Sequence, residues 1–311
     1  MGSLLSELGK KLAERWLTLL VLPGALYLAV AVTAHTLGHA HALDIGRLID
    51  TITGWAGTRP ATTVGGQVVL LAAVLAGAAA VGLAAQALAS LAEHLVLAAD
   101  WRTWPRPLRE RVARRVDARA AQWADHHTTY HRLRAAAAAA RTRGERLDPT
   151  PRHDARRARA RIAAEAPDRP TWSGDRVHAV AIRLKRDLNL DLAVVWPPLW
   201  LHLPEQVRTE VTAARAALAR AFALGAWALL YAPLASWWWP AVPLATALAL
   251  VSRYHTRAAA ETYAQLLEAA TRLHAGDLAS HLGIEHTGPA TPELGATLTA
   301  LLRTQPHTPS A

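Results

Sequence analysis

Histidine, a common metal ligand and the side chain that titrates nearest neutrality, clusters twice in this 311-residue chain. His35, His39 and His41 lie together, and the four-residue spacing of His35 and His39 is one at which two imidazoles on a helix can share a metal ion. No carboxylate adds to the set until Asp44, and the competing reading is a polar loop at a membrane interface. Asp125, His126, His127 and His131 repeat the spacing through His127 and His131. No His-Glu-x-x-His accompanies them and no matching ligand group lies nearby. Both pairs are weak candidates, and no metal or other cofactor is expected.

Glu93, His94 and Asp100 follow a long apolar run, and ionisable groups within a membrane are functional candidates by default. At a helix end they reach the headgroups instead. The sequence holds no Gly-x-x-x-x-Gly-Lys-Ser/Thr, no Gly-x-Gly-x-x-Gly and no Gly-x-Ser-x-Gly. No paired carboxylates sit in an apolar run, as an ion-coupled carrier would need. Cysteine is absent, which excludes disulfides, thiolate nucleophiles and thiolate metal sites. No catalytic residue is assigned, and an enzyme is the less favoured reading.

The net charge of +10 comes mostly from arginine, with lysine confined to Lys10, Lys11 and Lys185. So much arginine and alanine suggests GC-rich bacterial coding, and warns against giving every arginine a role. Phosphate binding needs positive charge of this kind, but the stacking aromatics of a single-strand binder are sparse, so nucleic acid is not an expected partner. Anionic lipid headgroups are the better match, with Arg109, Arg114, Arg115 and Arg119 just after an apolar run.

The elements that would position these residues follow from hydropathy. Hydrophobic residues make up 52% of the chain and concentrate in three blocks, Trp16 to Ala34, Val64 to Ala92 and Ala216 to Val251. Such unevenness indicates membrane segments. Residues 1–15 read as an interfacial amphipathic helix, and residues 16–99 as a transmembrane hairpin with an external, polar loop over 35–63. A signal-peptidase site at Val32-Thr33-Ala34 is the alternative to a retained anchor. Ala78, Gly82 and Gln86 form a helical stripe suited to close helix packing, although an alanine-rich helix also yields such stripes by chance. Trp16, Trp101, Trp104, Trp237, Trp238 and Trp239 are expected at membrane interfaces.

Residues 100–215 read as an arginine-rich helical region, with helices predicted over 107–143 and 152–166 and an apolar stripe of Val177, Val180, Ala181, Leu184 and Leu188. Pro197 and Pro198 are expected to forbid a continuous helix between Leu192 and Pro204. Residues 216–252 read as a second hairpin, transmembrane or re-entrant, with its tip at the three tryptophans before Pro240. Residues 253–311 form a helical tail whose last helix, 292–302, is capped by Thr291 and docked by Leu294, Leu298 and Leu301. Twenty-four of the 34 basic residues fall between Leu91 and Leu218, whereas the 35–63 loop holds only Arg47 and Arg59. The positive-inside rule then places the long region and both termini in the cytoplasm.

Pro170-Thr171-Trp172-Ser173-Gly174, with Asp191 through Trp196-Pro197-Pro198-Leu199 and then Leu203-Pro204-Glu205, resembles a pattern in uncharacterised bacterial multi-pass membrane proteins. That pattern reads Pro-Thr-x-x-Gly-Asn, Tyr-Gly-x-Asp and Trp-Pro-Arg-Leu, and this chain departs from it at Asp175, Asn189-Leu190 and Pro198. The resemblance covers about 40 of the 311 residues and brings no activity. It implies a structural unit preceding the third apolar block. The expectation is therefore an all-α, multi-pass helical membrane protein of the bacterial plasma membrane with two helical hairpins, four spans and a helical cytoplasmic region. Its expected function is a non-enzymatic anchor or scaffold whose cytoplasmic helices bind a partner protein. The alternative is a homo-oligomeric pore or transporter component.

Overall fold

The computed structural model describes residues 21–58, 62–98 and 100–303. The helix expected over 1–15, the interface residue Trp16 and the charge of Arg59 lie outside the described residues. Among the described residues there are ten α-helices and no strand. In chain order they are α1 (Leu22–Leu37), α2 (Ile45–Ala56), α3 (Val64–Leu97), α4 (Arg106–Thr142) and α5 (Thr150–Ile162), then α6 (Trp172–Leu188), α7 (Leu192–His202), α8 (Glu205–Tyr231), α9 (Ala241–His281) and α10 (Pro292–Leu302). The chain divides into two compact units. One comprises Met1–Ala92 with Ala219–Tyr254, and the other Glu93–Leu218 with His255–Ala311.

The first unit is packed through small residues. A Cβ on Gly24 of α1 would overlap the Ala78 carbonyl of α3, so the two backbones meet there, and Ala78, Gly82 and Ala85 form the buried edge of α3. Gln86 is exposed, so the packing stripe turns onto Ala85 where the sequence pattern placed Gln86. Gly225 of α8 faces Ser252 of α9, whose hydroxyl donates to the Ala221 carbonyl at 2.8 Å. Close contact through Gly, Ala and Ser is how helices associate where lipid removes the hydrophobic drive. The outward side chains of α3 are large and bare: Val64 is 79% exposed, Val69 69% and Leu71 60%. Val64–Leu97 and Glu205–Ser236 are long and apolar enough to cross a bilayer.

The second unit is built around a larger apolar core than the cluster of Tyr231, Leu234 and Ala241 in the first. Val180, Leu184 and Leu188 of α6 meet Val195 and Leu199 of α7, Ala264, Leu267 and Leu278 of α9, and Leu294 and Leu298 of α10. Asn189 ends α6 in the left-handed conformation at φ 51°, which lets the chain turn into α7. Thr291 caps α10 by accepting the Leu294 N–H. Gly295 lets α10 reach the Leu188 carbonyl, where a Cβ would overlap. Leu301, expected to dock α10, is exposed, and Leu302 packs on the core in its place.

Three local expectations are corrected. Pro197 and Pro198 lie inside α7, a continuous helix over Leu192–His202. An interior proline costs about 3 kcal/mol, and burial of Val195, Leu199 and Leu203 at about 1.5–3 kcal/mol each opposes that cost. Helix α5 starts at Thr150 because Pro151 occupies its first turn, where the missing N–H has no intrahelical partner to lose. The 35–63 connection, expected as a polar external loop, contains α2, opened by Asp44, whose carboxylate accepts the Arg47 N–H at 3.0 Å.

Candidate functional site

The densest polar constellation among the described residues gathers around the start of α6 and the end of α3, both in the second unit. A helix end leaves carbonyls without intrahelical partners, and α3 ends with its last carbonyls met by side chains. Thr171 donates its hydroxyl to the Val96 carbonyl at 2.5 Å, and the Arg169 guanidinium donates to the Ala98 carbonyl at 2.8 Å. The Thr171 oxygen also accepts the Gly174 N–H at 3.0 Å, which caps α6. Gly174 has to be glycine here, since a Cβ would come within 2.8 Å of the Val96 oxygen and 3.0 Å of the Leu97 oxygen. The Pro170–Gly174 motif is thus a clamp between two helix termini.

Asp175 completes the clamp from below. Its carboxylate is 3% exposed, accepts the backbone N–H groups of Asp168 and Arg169 at 2.9 and 2.8 Å, and pairs with Arg119 at 2.6 Å. Burial pushes the Asp175 carboxyl above its ordinary range, while the two N–H donors and Arg119 pull it back. Arg119 reaches over from α4 and also donates to the carbonyls of Arg169 and Ile162. His178, packed beside Arg169 and Asp168, is held below its ordinary value, chiefly by burial.

This geometry reassigns two residues. Arg119, predicted to contact anionic lipid, is committed to Asp175, whereas Arg109, Arg114 and Arg115 are exposed. Trp101, predicted at a membrane interface, is 7% exposed against Ala98 and Val116, with its indole N–H donating to the Asp168 carbonyl at 2.9 Å. Trp104 is half-buried beside it, whereas Trp237 and Trp239 are exposed in the first unit and Trp238 is half-buried there.

Three of the four paired histidines have contacts within the protein. His39 meets the Ser236 carbonyl at 3.1 Å, and His35 is exposed. His127 stacks on Trp123 and approaches His131 with ring centroids 4.3 Å apart. Arg159 of α5 covers Trp123 and Tyr130 and contacts His127, and burial, His131 and this cation hold His127 below its ordinary value. Among the described residues no group of three or more metal-ligating side chains is arranged to hold a metal ion. Glu93 pairs with Arg215 of α8.

Two further features escaped the sequence reading. Arg176, Arg183 and Asp187 of α6 pair with Glu261, Glu268 and Arg272 of α9, each pair separated by 85 residues. That constant offset means α6 and α9 run parallel in one register, and the spacings of seven and four residues recur on both helices. The second feature is a groove of about 530 Å³ beside α7, lined by Trp196, Pro197, Trp200, Leu201, Arg215 and Tyr263 among others. Leu201 is 80% exposed there. Burial raises the Tyr263 hydroxyl above its ordinary value. Buried Nε of Arg208 and Nη1 of Arg215 have no hydrogen-bond partner.

The Pro170-to-Glu205 resemblance rests on its own residues, because no family model, curated protein or solved structure matches this chain.

Proposed function

We propose that the chain is a non-enzymatic membrane anchor: its first unit crosses the bacterial plasma membrane with both termini cytoplasmic, and its second unit presents a cytoplasmic docking face to a partner protein. The observation that supports this is the contrast between the surfaces of the two units. The first leaves bulky aliphatic side chains of α3 bare along a 34-residue helix, a state that water disfavours at about 25 cal/mol per Å² and lipid does not. The second gathers its aliphatic side chains into a core between α6, α7, α9 and α10 and pairs charges of α6 with those of α9, with exposed ones such as Leu201 and Leu273 scattered singly. Basic residues concentrate in the second unit, as cytoplasmic regions require.

Four crossings are proposed, of which Val64–Leu97 and Glu205–Ser236 are by themselves long and apolar enough. From Leu218 to Tyr231 α8 rises about 20 Å and the 3-10 turn Ala232–Ser236 adds about 10 Å, together about the thickness of the hydrocarbon core. The return arm to Arg253 is shorter, and local thinning with snorkelling of Arg253 and Arg220 absorbs the mismatch.

The docking face is the groove at Trp196, Trp200 and Leu201. An occupant that lays apolar side chains on the two indoles and Leu201 would cover the apolar wall of the groove. Purification in mild detergent tests this. The wild-type chain should retain one partner in fixed stoichiometry, and Leu201→Asp, at an exposed position, should lose it while keeping its thermal transition. A wild-type chain that purifies alone, and conducts ions or solute in liposomes, would instead establish the homo-oligomeric pore.

A further inference from the structure

The connection between α1 and α3 contains an amphipathic helix whose apolar side the described residues of the first unit leave largely exposed. In α2, Ile45 is 70% exposed, Ile49 57%, Ile52 52% and Trp55 49%. At 100° per residue these four, with Leu48 and Ala56, occupy an arc about 120° wide, and Arg47, Asp50 and Gly54 fall on the opposite side. No charge interrupts the stripe, and Arg47 and Asp50 cancel on the polar face. Steering by anionic headgroups is therefore absent, and the feature is an apolar face alone.

The position of the helix decides what covers that face. Leu37 ends α1 seven residues before Asp44, and α3 begins eight residues after Ala56; both neighbours expose aliphatic side chains such as Leu26 and Val68. The segment leading into α2 is tied to the tryptophan tip of the α8–α9 hairpin at two points. Trp238 donates its indole N–H to the Ala42 carbonyl at 3.0 Å, and His39 meets the Ser236 carbonyl at 3.1 Å. The stripe therefore continues the apolar surface of the spanning helices at the end where Trp237 and Trp239 are exposed.

We infer that α2 lies in the headgroup–acyl boundary of the outer leaflet, with Ile45, Ile49, Ile52 and Trp55 inserted and Arg47, Asp50 and Gly54 facing water. Such in-plane binding draws its strength from buried apolar area, and the indole of Trp55 belongs at that depth. It sets the level of the outer interface around the first hairpin. The inference rests on the membrane reading above and adds a lipid-binding surface to it.

Because the chain has no cysteine, single cysteines report cleanly. Full-length protein carrying Ile49→Cys, Ile52→Cys, Asp50→Cys, Gly54→Cys or Leu71→Cys is labelled with a polarity-sensitive fluorophore and reconstituted in liposomes containing lipid spin-labelled near the headgroup or deep in the acyl chain. Labels at 49 and 52 should be blue-shifted and quenched several-fold more by the shallow spin label than labels at 50 and 54, with Leu71 quenched by the deep one. Equal quenching on both faces overturns the inference, and so does a stripe protected from lipid and aqueous quenchers alike, which marks a protein-covered face. In both cases quenching at Leu71 leaves the membrane reading standing. Absence of lipid quenching at Leu71 as well overturns both.

Discussion

The hydroxyl of Thr171 sits between two helix termini, donating to the Val96 carbonyl at 2.5 Å and accepting the Gly174 N–H at 3.0 Å. Thr171→Val keeps the shape and removes both bonds. It should destabilise the second unit by about 1–2 kcal/mol in a detergent melt followed by circular dichroism, while Thr171→Ser stays near wild type. Gly174→Ala should cost more than Thr171→Val, since backbone oxygens of Val96 and Leu97 stand where the methyl must go. Equal melts for all three variants would remove the clamp from the structure.

Arg119 and its exposed neighbours should separate cleanly. Arg119→Ala leaves the Asp175 carboxylate buried without its cation, a loss of about 3 kcal/mol or more. Arg109→Ala, Arg114→Ala and Arg115→Ala should leave the melt unchanged. Their proposed role is contact with anionic headgroups, each worth about 1 kcal/mol near the surface. A fluorophore on Arg114→Cys should be quenched by headgroup-labelled lipid in anionic nanodiscs at low salt and released at high salt. Identical quenching in neutral nanodiscs would refute an electrostatic contact.

The parallel ladder between α6 and α9 predicts acid sensitivity with a defined sign. The hydrogen-bonded Arg176 guanidinium depresses Glu261 from its ordinary value of 4.5, and Arg272 depresses Asp187 from 3.8. A carboxylate depressed on folding contributes stability that is fully present above its unfolded value and lost as pH falls through the folded one. The melting temperature should therefore drop as pH falls from about 4.5 downwards. Glu261→Gln with Asp187→Asn should lower stability near pH 7 and flatten that acid slope. A double variant with the wild-type slope would contradict the assignment.

Much of the helical framework was legible in the sequence because it rests on local chemistry. Thr291 and Pro292 marked the start of α10, and the helix predicted over 107–143 matches α4 to within a residue at either end. What escaped depends on partners distant in sequence. Trp101 and Arg119 have the types and positions of interface residues, and only the fold of 168–175 around them shows that Trp101 is buried and Arg119 is committed to Asp175. Pro197 and Pro198 follow a local rule that burial of Val195 and Leu199 overrides. Helix α2 was hidden differently: the Gly, Thr, His and charged residues in and around it mask the helical period that Ile45, Ile49, Ile52 and Trp55 carry.

The sidedness of the chain tests the anchor reading most directly. Thr53 and Ser236 are exposed in the first unit and Thr209 in the second, whereas Ser173 is 4% exposed and would report burial instead of side. Single cysteines at 53, 236 and 209 are treated with an impermeant maleimide in intact cells and again after permeabilisation. Labelling of 53 and 236 in intact cells, with 209 reacting only after permeabilisation, is the predicted result. Labelling of 209 in intact cells would contradict a cytoplasmic docking unit, and protection of 236 with quenching near the bilayer centre would show that the second hairpin re-enters instead of crossing.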